Sequence, residues 1–170
     1  FRPADRMETI ECWEIALKNS GTPSVLSLTR QNLDPIRKKY SNINKCSFGA
    51  YEVLRTNKKV NLTILASGSE VNLAIETSHK LAKDKIYSKV ISVPCQDLFD
   101  LQSRPYKQKI LGETKFKISI EAASTDCWSK YVGTEGLTFG IDTFGKSAPY
   151  KEIYKYFGLT AENISKKTKN

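Results

Sequence analysis

Short apolar runs alternate along this chain with longer stretches in which apolar residues recur every three or four positions. The clearest pair lies at 62–82. Leu62 to Ala66 has the length and composition of a buried strand. Ser67-Gly68-Ser69 then makes a turn, with Ser69 placed to cap a helix. Val71, Ala74, Ile75, Ser78, Leu81 and Ala82 follow at helical spacing, so one small-to-apolar stripe can lie on a sheet. Strand, tight turn and covering helix form the repeating unit of an open α/β domain.

The same reading extends in both directions. Residues 3–18 predict a helix, with Asp5 as cap, Glu8 completing a capping box, and Ile10, Trp13 and Leu17 as the buried stripe beside Cys12 and Ala16. Gly21 and Pro23 close it, and Ser24 to Leu28 predicts a short strand. Residues 34–60 are polar and rich in lysine and asparagine, and within them Gly49 to Arg55 alternates enough for a marginal edge strand. This linker-like composition places a domain boundary near residue 45.

Ser88 to Val93 is the next strand, and Pro105 interrupts any single long helix over 97–111. Phe116, Ile118, Ile120 and Ala122 alternate with polar residues, as do Leu137, Phe139 and Ile141, which suits strands near a sheet edge. Ser147 and Pro149 predict the start of a helix that buries Ile153, Tyr154 and Phe157 and stops at Gly158. A last short helix restarts from Thr160, and the lysine-rich tail is expected to fray. The fold class is therefore α/β, an open, mostly parallel sheet with helices on both faces. A helix–strand remnant of a second α/β domain precedes it, whose remainder is expected upstream of Phe1.

Composition narrows the function classes. The chain has 170 residues, enough for one full domain and part of another, and no apolar run approaches the roughly 20 residues that cross a bilayer. Phe1-Arg2-Pro3-Ala4-Asp5 resembles no targeting segment, so the start reads as an internal cut in a longer polypeptide. A net charge of +9 raises the question of nucleic acid. Lysine supplies 21 of the 27 basic residues, however, spread along the chain with only short pairs such as Lys38-Lys39, Lys58-Lys59 and Lys166-Lys167. A solvated basic surface is the simpler account, and neither nucleic acid nor membrane is expected as a partner.

Cys12, Cys46, Cys95 and Cys127 lack any paired metal or redox spacing, which predicts reduced thiols in a cytoplasmic protein. The single histidine, His79, lies off the apolar stripe of its helix and reads as a surface residue.

Arg30 is the best single candidate for chemistry. It follows a short predicted strand, and open α/β sheets bind ligands beyond the carboxyl ends of their strands. Its guanidinium, beside Gln31 and Asn32, could hold a phosphate through a bidentate contact, although pairing with a neighbouring carboxylate is the ordinary alternative. Ser67-Gly68-Ser69 could hold an anion at a helix N-terminus, but Glu70 opposes one there. Glu121 and Asp126 leave another strand end as a possible acid pair, and Thr143 to Pro149 is a glycine-containing loop without nucleotide-loop spacing. For these three, structure is the favoured reading.

Together these stretches resemble transketolase. Phe1-Arg-Pro-Ala-Asp5 is similar to that family's entry to the last helix of its pyrimidine-binding domain, and Ser27-Leu-Thr-Arg-Gln-Asn-Leu33 to its serine-arginine-glutamine-asparagine-leucine motif, with threonine here before the arginine. Ala66-Ser-Gly-Ser-Glu-Val71, Glu121-Ala-Ala, Trp128-Ser-Lys-Tyr-Val-Gly133 and Thr143-Phe-Gly-Lys-Ser-Ala-Pro149 follow in the family's order.

The resemblance implies that residues 1–45 end the pyrimidine-binding domain and that 46–170 form the C-terminal domain. It further implies a homodimeric enzyme that moves a two-carbon ketol unit between sugar phosphates, using thiamine diphosphate and a divalent metal (magnesium or calcium). Arg30 matches the family arginine that binds the sugar phosphate. No residue here matches a catalytic, cofactor or metal position, so the segment is expected to serve assembly and to be inactive alone, with no cofactor bound. The alternative is a separately encoded binding or assembly module, such as one subunit of a split transketolase.

Overall fold

The computed structural model describes every residue except Lys38, Tyr40, Glu113 and Asn170, so the first lysine of the Lys38-Lys39 pair lies outside the described residues. Five strands form one sheet: β1 (Tyr51–Arg55), β2 (Leu62–Ala66), β3 (Ser88–Ser92), β4 (Phe116–Ile120) and β5 (Leu137–Phe139). Their order is β1-β3-β2-β4-β5. β3, β2, β4 and β5 run parallel, and β1 pairs antiparallel with β3 across a register shift between Glu52 and Leu54.

Alternation across the pleat sends the strand residues to two separate cores. Leu62, Ile64, Ala66, Val90, Ile118 and Ile120 face α2 (Glu70–Lys83) and α7 (Ala161–Lys169), where Ala74, Leu81 and Ile164 close one side. Leu65, Ile91 and Val93 meet Phe99, Ile110, Trp128 and Tyr131 on the other. Those residues come from α3 (Gln96–Asp100), α4 (Arg104–Leu111), the short 3-10 helix Asp126–Trp128 and α5 (Ser129–Val132). Pro105 falls in the first turn of α4 behind the Ser103 cap, so the proline divides α3 from α4 as its chemistry requires.

Four local expectations are corrected. The lysine-rich tail is not frayed: α7 continues to Lys169, which pairs with Asp84, because Ile164 anchors the helix on α2. Ser147 does not cap α6 (Tyr150–Tyr156); Pro149 holds the cap position with ψ 136°, and a residue before proline resists helical geometry. Ile153, Tyr154 and Phe157 on or beside that helix are half-buried rather than buried. Ser69 occupies its predicted position, but its hydroxyl turns to the Glu70 carboxylate at 2.6 Å instead of capping a backbone N–H.

The N-terminal part departs furthest. α1 (Arg6–Lys18) forms with Asp5 as cap, accepting from the Glu8 N–H at 2.8 Å, while the Glu8 carboxylate takes the Ala4 N–H instead of closing the box on Asp5. Its apolar stripe is exposed: Ile10 by 62%, Trp13 by 49% and Leu17 by 75%. The face turned inward carries Glu8, Glu11 and Cys12, and it meets the protein through polar contacts and the packing of Cys12 with Cys46 and Tyr51. Glu8 accepts from the Tyr51 hydroxyl at 2.7 Å and the Ser92 hydroxyl at 2.6 Å, and Glu11 pairs with Arg37 at 2.8 Å. Residues 24–28 do not form a strand. They find no ladder in the sheet; Leu26 packs against Cys12, Cys46 and Tyr51, and Phe1 donates to the Val25 carbonyl at 2.7 Å and accepts from the Ser27 N–H at 2.8 Å.

Candidate functional site

The chain runs from β2 through α2 to β3 on one side, then crosses the sheet to β4 on the other. The strand order therefore reverses between β2 and β4, and the crevice beyond their carboxyl ends is where open α/β sheets place ligands. Two carboxylates stand there. Glu70 opens α2, and Glu121 follows β4; their side chains are 0% and 5% exposed.

Neither is left without partners. Glu70 accepts from Ser69, from the Ala122 N–H at 3.2 Å and from the Tyr154 hydroxyl. Glu121 accepts from the Ser67 hydroxyl. Between the two lies the guanidinium of Arg2, bonded to Glu70 at 3.1 Å and paired with Glu121. Its backbone is fastened as well, donating to the Pro94 carbonyl at 2.8 Å and accepting from Gly68 N–H at 2.9 Å. Gly68 takes φ 55°, which a side chain resists, and this turn brings its amide to Arg2. Tyr154, half-buried and facing Glu70, has its hydroxyl pushed up to about 12 by burial first and the Glu70 charge second.

Arg30 sits outside this cluster, exposed at a bend. The described ion pairs of arginine fall on Arg2, Arg37 and Arg55 instead. Its neighbour Gln31 lines a small cavity with Arg2, Ser69 and Tyr154. Gln31, Asn32 and Asp34 then line a cavity of 630 Å³ with Asn72, His79 and Tyr150. His79 is exposed, as expected of a residue off the apolar stripe.

The other candidates separate. Glu121 turns inward to Arg2, whereas Asp126 is exposed, so the two are not an acid pair. Residues 143–149 form an exposed loop with Phe144 bare at its tip. The Ser67-Gly68-Ser69 turn faces carboxylates and a guanidinium, an arrangement that suits a cation better than an anion. Sequence reasoning missed Arg2 as the partner of both glutamates, since the three lie far apart in the chain. The available signal was two acidic residues, each directly after a strand end.

The family described as Transketolase-like TK C-terminal domain matches residues 49–160, a span that holds all five strands. The chain belongs to that transketolase family. Its similarity extends beyond the matched span: the transketolase of Sinorhizobium medicae is 42% identical over 165 residues, covering 96% of this chain. A crystal structure of transketolase from Pichia stipitis in complex with sedoheptulose 7-phosphate superimposes with a TM-score of 0.89 at 38% identity, over 98% of this chain. A split-gene transketolase described as an inactive β4 tetramer shares the fold, with a TM-score of 0.77 at 18% identity. The chain spans 24% of both the Sinorhizobium and the Pichia proteins, and 55% of the split-gene chain.

The residues present do not fit the diphosphate and metal of a transketolase cofactor. Among the described residues, no group of three or more histidine, cysteine or acidic side chains could hold a metal ion. The crevice between β2 and β4 presents Glu70 and Glu121, which disfavour a diphosphate, and is filled by Arg2. Among the described residues no helix is long and apolar enough to cross a membrane.

Proposed function

We propose that this chain is the C-terminal part of a transketolase that transfers a two-carbon ketol unit between sugar phosphates, and that Arg30 binds the substrate phosphate. The boundary between the pyrimidine-binding portion and the C-terminal domain falls near residue 45 in this reading. Thiamine diphosphate and its divalent metal are held by the rest of a cytoplasmic, homodimeric enzyme, and the 170-residue segment alone is inactive.

The observation that carries the phosphate role is the setting of Arg30. Its guanidinium is exposed, while the segment before it is tied down by Phe1 at Val25 and Ser27, and Gln31 after it lines a small cavity with Arg2 and Tyr154. A planar donor held on an otherwise restrained segment can meet a phosphate in a two-point contact at low entropic cost. Such a contact forms in the bound substrate and persists through the reaction, so its loss is felt mainly in KM.

The test is Arg30→Ala in the intact enzyme. The ratio of kcat/KM for a ketose phosphate to that for its unphosphorylated analogue should fall about 10- to 100-fold, from the loss of a charged hydrogen-bond pair. Equal losses for both substrates would remove Arg30 from the phosphate site.

A second reading, a separately encoded subunit of a split transketolase, is favoured by the likeness of fold to the split-gene protein. The mass of the native polypeptide in its cell distinguishes the two, since a separate subunit would run near 19.2 kDa and require a partner chain.

A further inference from the structure

The crevice between β2 and β4 is built to receive a guanidinium, and the chain fills it with its own Arg2. Two carboxylates of almost zero exposure converge on one planar cation, an arrangement that a lysine ammonium, with its compact point charge, reproduces poorly. From Arg2 the connection to Arg30 is short. Phe1, the next residue back, holds Val25 and Ser27 through two backbone hydrogen bonds. On the far side of Arg30, Gln31 lines one small cavity with Arg2, Ser27 and Tyr154, and the Tyr154 hydroxyl bonds Glu70. Both flanks of the Arg30 bend therefore border residues bonded to the same carboxylate, Arg2 and Tyr154. Residues 24–28 have no sheet ladder to hold them; the Phe1 hydrogen bonds and the packing of Leu26 against the Cys12, Cys46 and Tyr51 cluster hold the segment.

We infer that Arg2, seated between Glu70 and Glu121, is a positioning residue that fixes the Arg30 segment and thereby sets the enzyme's preference for phosphorylated sugars. The inference rests on Arg30 as the phosphate ligand. It adds that the crevice open α/β sheets use for a free ligand is here given over to an internal arginine that acts on a substrate site elsewhere.

The experiment is a double-mutant cycle in the intact enzyme, reading the ratio of kcat/KM for a ketose phosphate to that of its unphosphorylated analogue. Arg2→Lys should lower the ratio about tenfold, through KM for the phosphorylated sugar, and should lower it no further in the Arg30→Ala background. Tyr154→Phe removes one hydroxyl and no charge. It should lower the ratio in the same direction by a smaller factor, and it carries the test if Arg2→Lys does not fold.

A ratio unchanged by Arg2→Lys and by Tyr154→Phe, with Arg30→Ala still lowering it, overturns the positioning role and leaves the phosphate reading standing. Equal effects of Arg2→Lys with and without Arg30 overturn it too, since Arg2 would then act independently. A ratio unchanged by Arg30→Ala removes the phosphate reading itself, and the positioning role falls with it.

Discussion

Helices α1 and α2 carry the same kind of apolar stripe and meet opposite fates. The α2 stripe lies on the sheet, with Val71, Ala74 and Leu81 fully buried. The α1 stripe of Ile10, Trp13 and Leu17 points outward, and the helix is fastened by its polar face, through Glu8 and Glu11. The sheet layer thus has apolar cores on both faces, while residues 1–44 adhere to it by buried polar contacts and a smaller apolar contribution from Ala4, Ile36 and the Cys12–Cys46–Tyr51 cluster. The lesson is that helical periodicity reports which face is apolar and not what covers it.

This contrast makes the two regions respond differently to substitution in the 170-residue chain. The largest effect is expected in the sheet core: Ile64→Ala should cost about 3 kcal/mol in denaturant unfolding, since Ile64 is fully buried between α2 and its neighbouring strands. A cost under about 1 kcal/mol would mean that the core is not the packed unit described.

An intermediate effect belongs to Glu8, which joins α1 to β1 and β3. Burial raises its carboxyl above the usual range, against the lowering influence of the Ser92, Tyr51 and Ala4 hydrogen bonds. The folded protein therefore holds this proton more tightly than the unfolded chain. The contribution of Glu8 is greatest below the ordinary value of 4.5 and declines as pH rises through the raised native value. Glu8→Gln should lower the melting temperature overall, because an amide then faces the Ala4 N–H, and should flatten that part of the pH dependence. A slope identical to that of the parent would show that burial does not raise the Glu8 carboxyl.

The smallest effect is at the exposed stripe: Trp13→Ser should shift unfolding by no more than about 0.5 kcal/mol, because its half-exposed ring has little to lose. A loss of several times that would mean the stripe is covered in solution.

The sequence was most legible where local pattern and tertiary partner coincide. β2, α2, β3 and β4 each have an apolar period matched to a neighbour within this chain, and the division of 96–111 at Pro105 follows from backbone chemistry alone. Residues 24–28 have the composition of a strand, yet a strand exists only with a ladder partner, and no edge of the sheet reaches them. The caps at Ser69 and Ser147 failed for a related reason: each hydroxyl position was right for a generic helix start, but Glu70 and Pro149 supplied stronger local demands. Arg30 stands out as a candidate in the sequence because it follows a strand-like run and belongs to a motif. The Arg2–Glu70–Glu121 cluster does not, since its members meet only once the sheet is assembled.

The account turns on where a sugar phosphate meets this chain. A crystal structure of the intact enzyme with a bound ketose phosphate tests that directly. The phosphate oxygens should lie about 2.7–2.9 Å from the Arg30 guanidinium, with Arg2 still bridging Glu70 and Glu121. A phosphate held elsewhere, with Arg30 turned to solvent, would contradict the assignment of this segment to the substrate site.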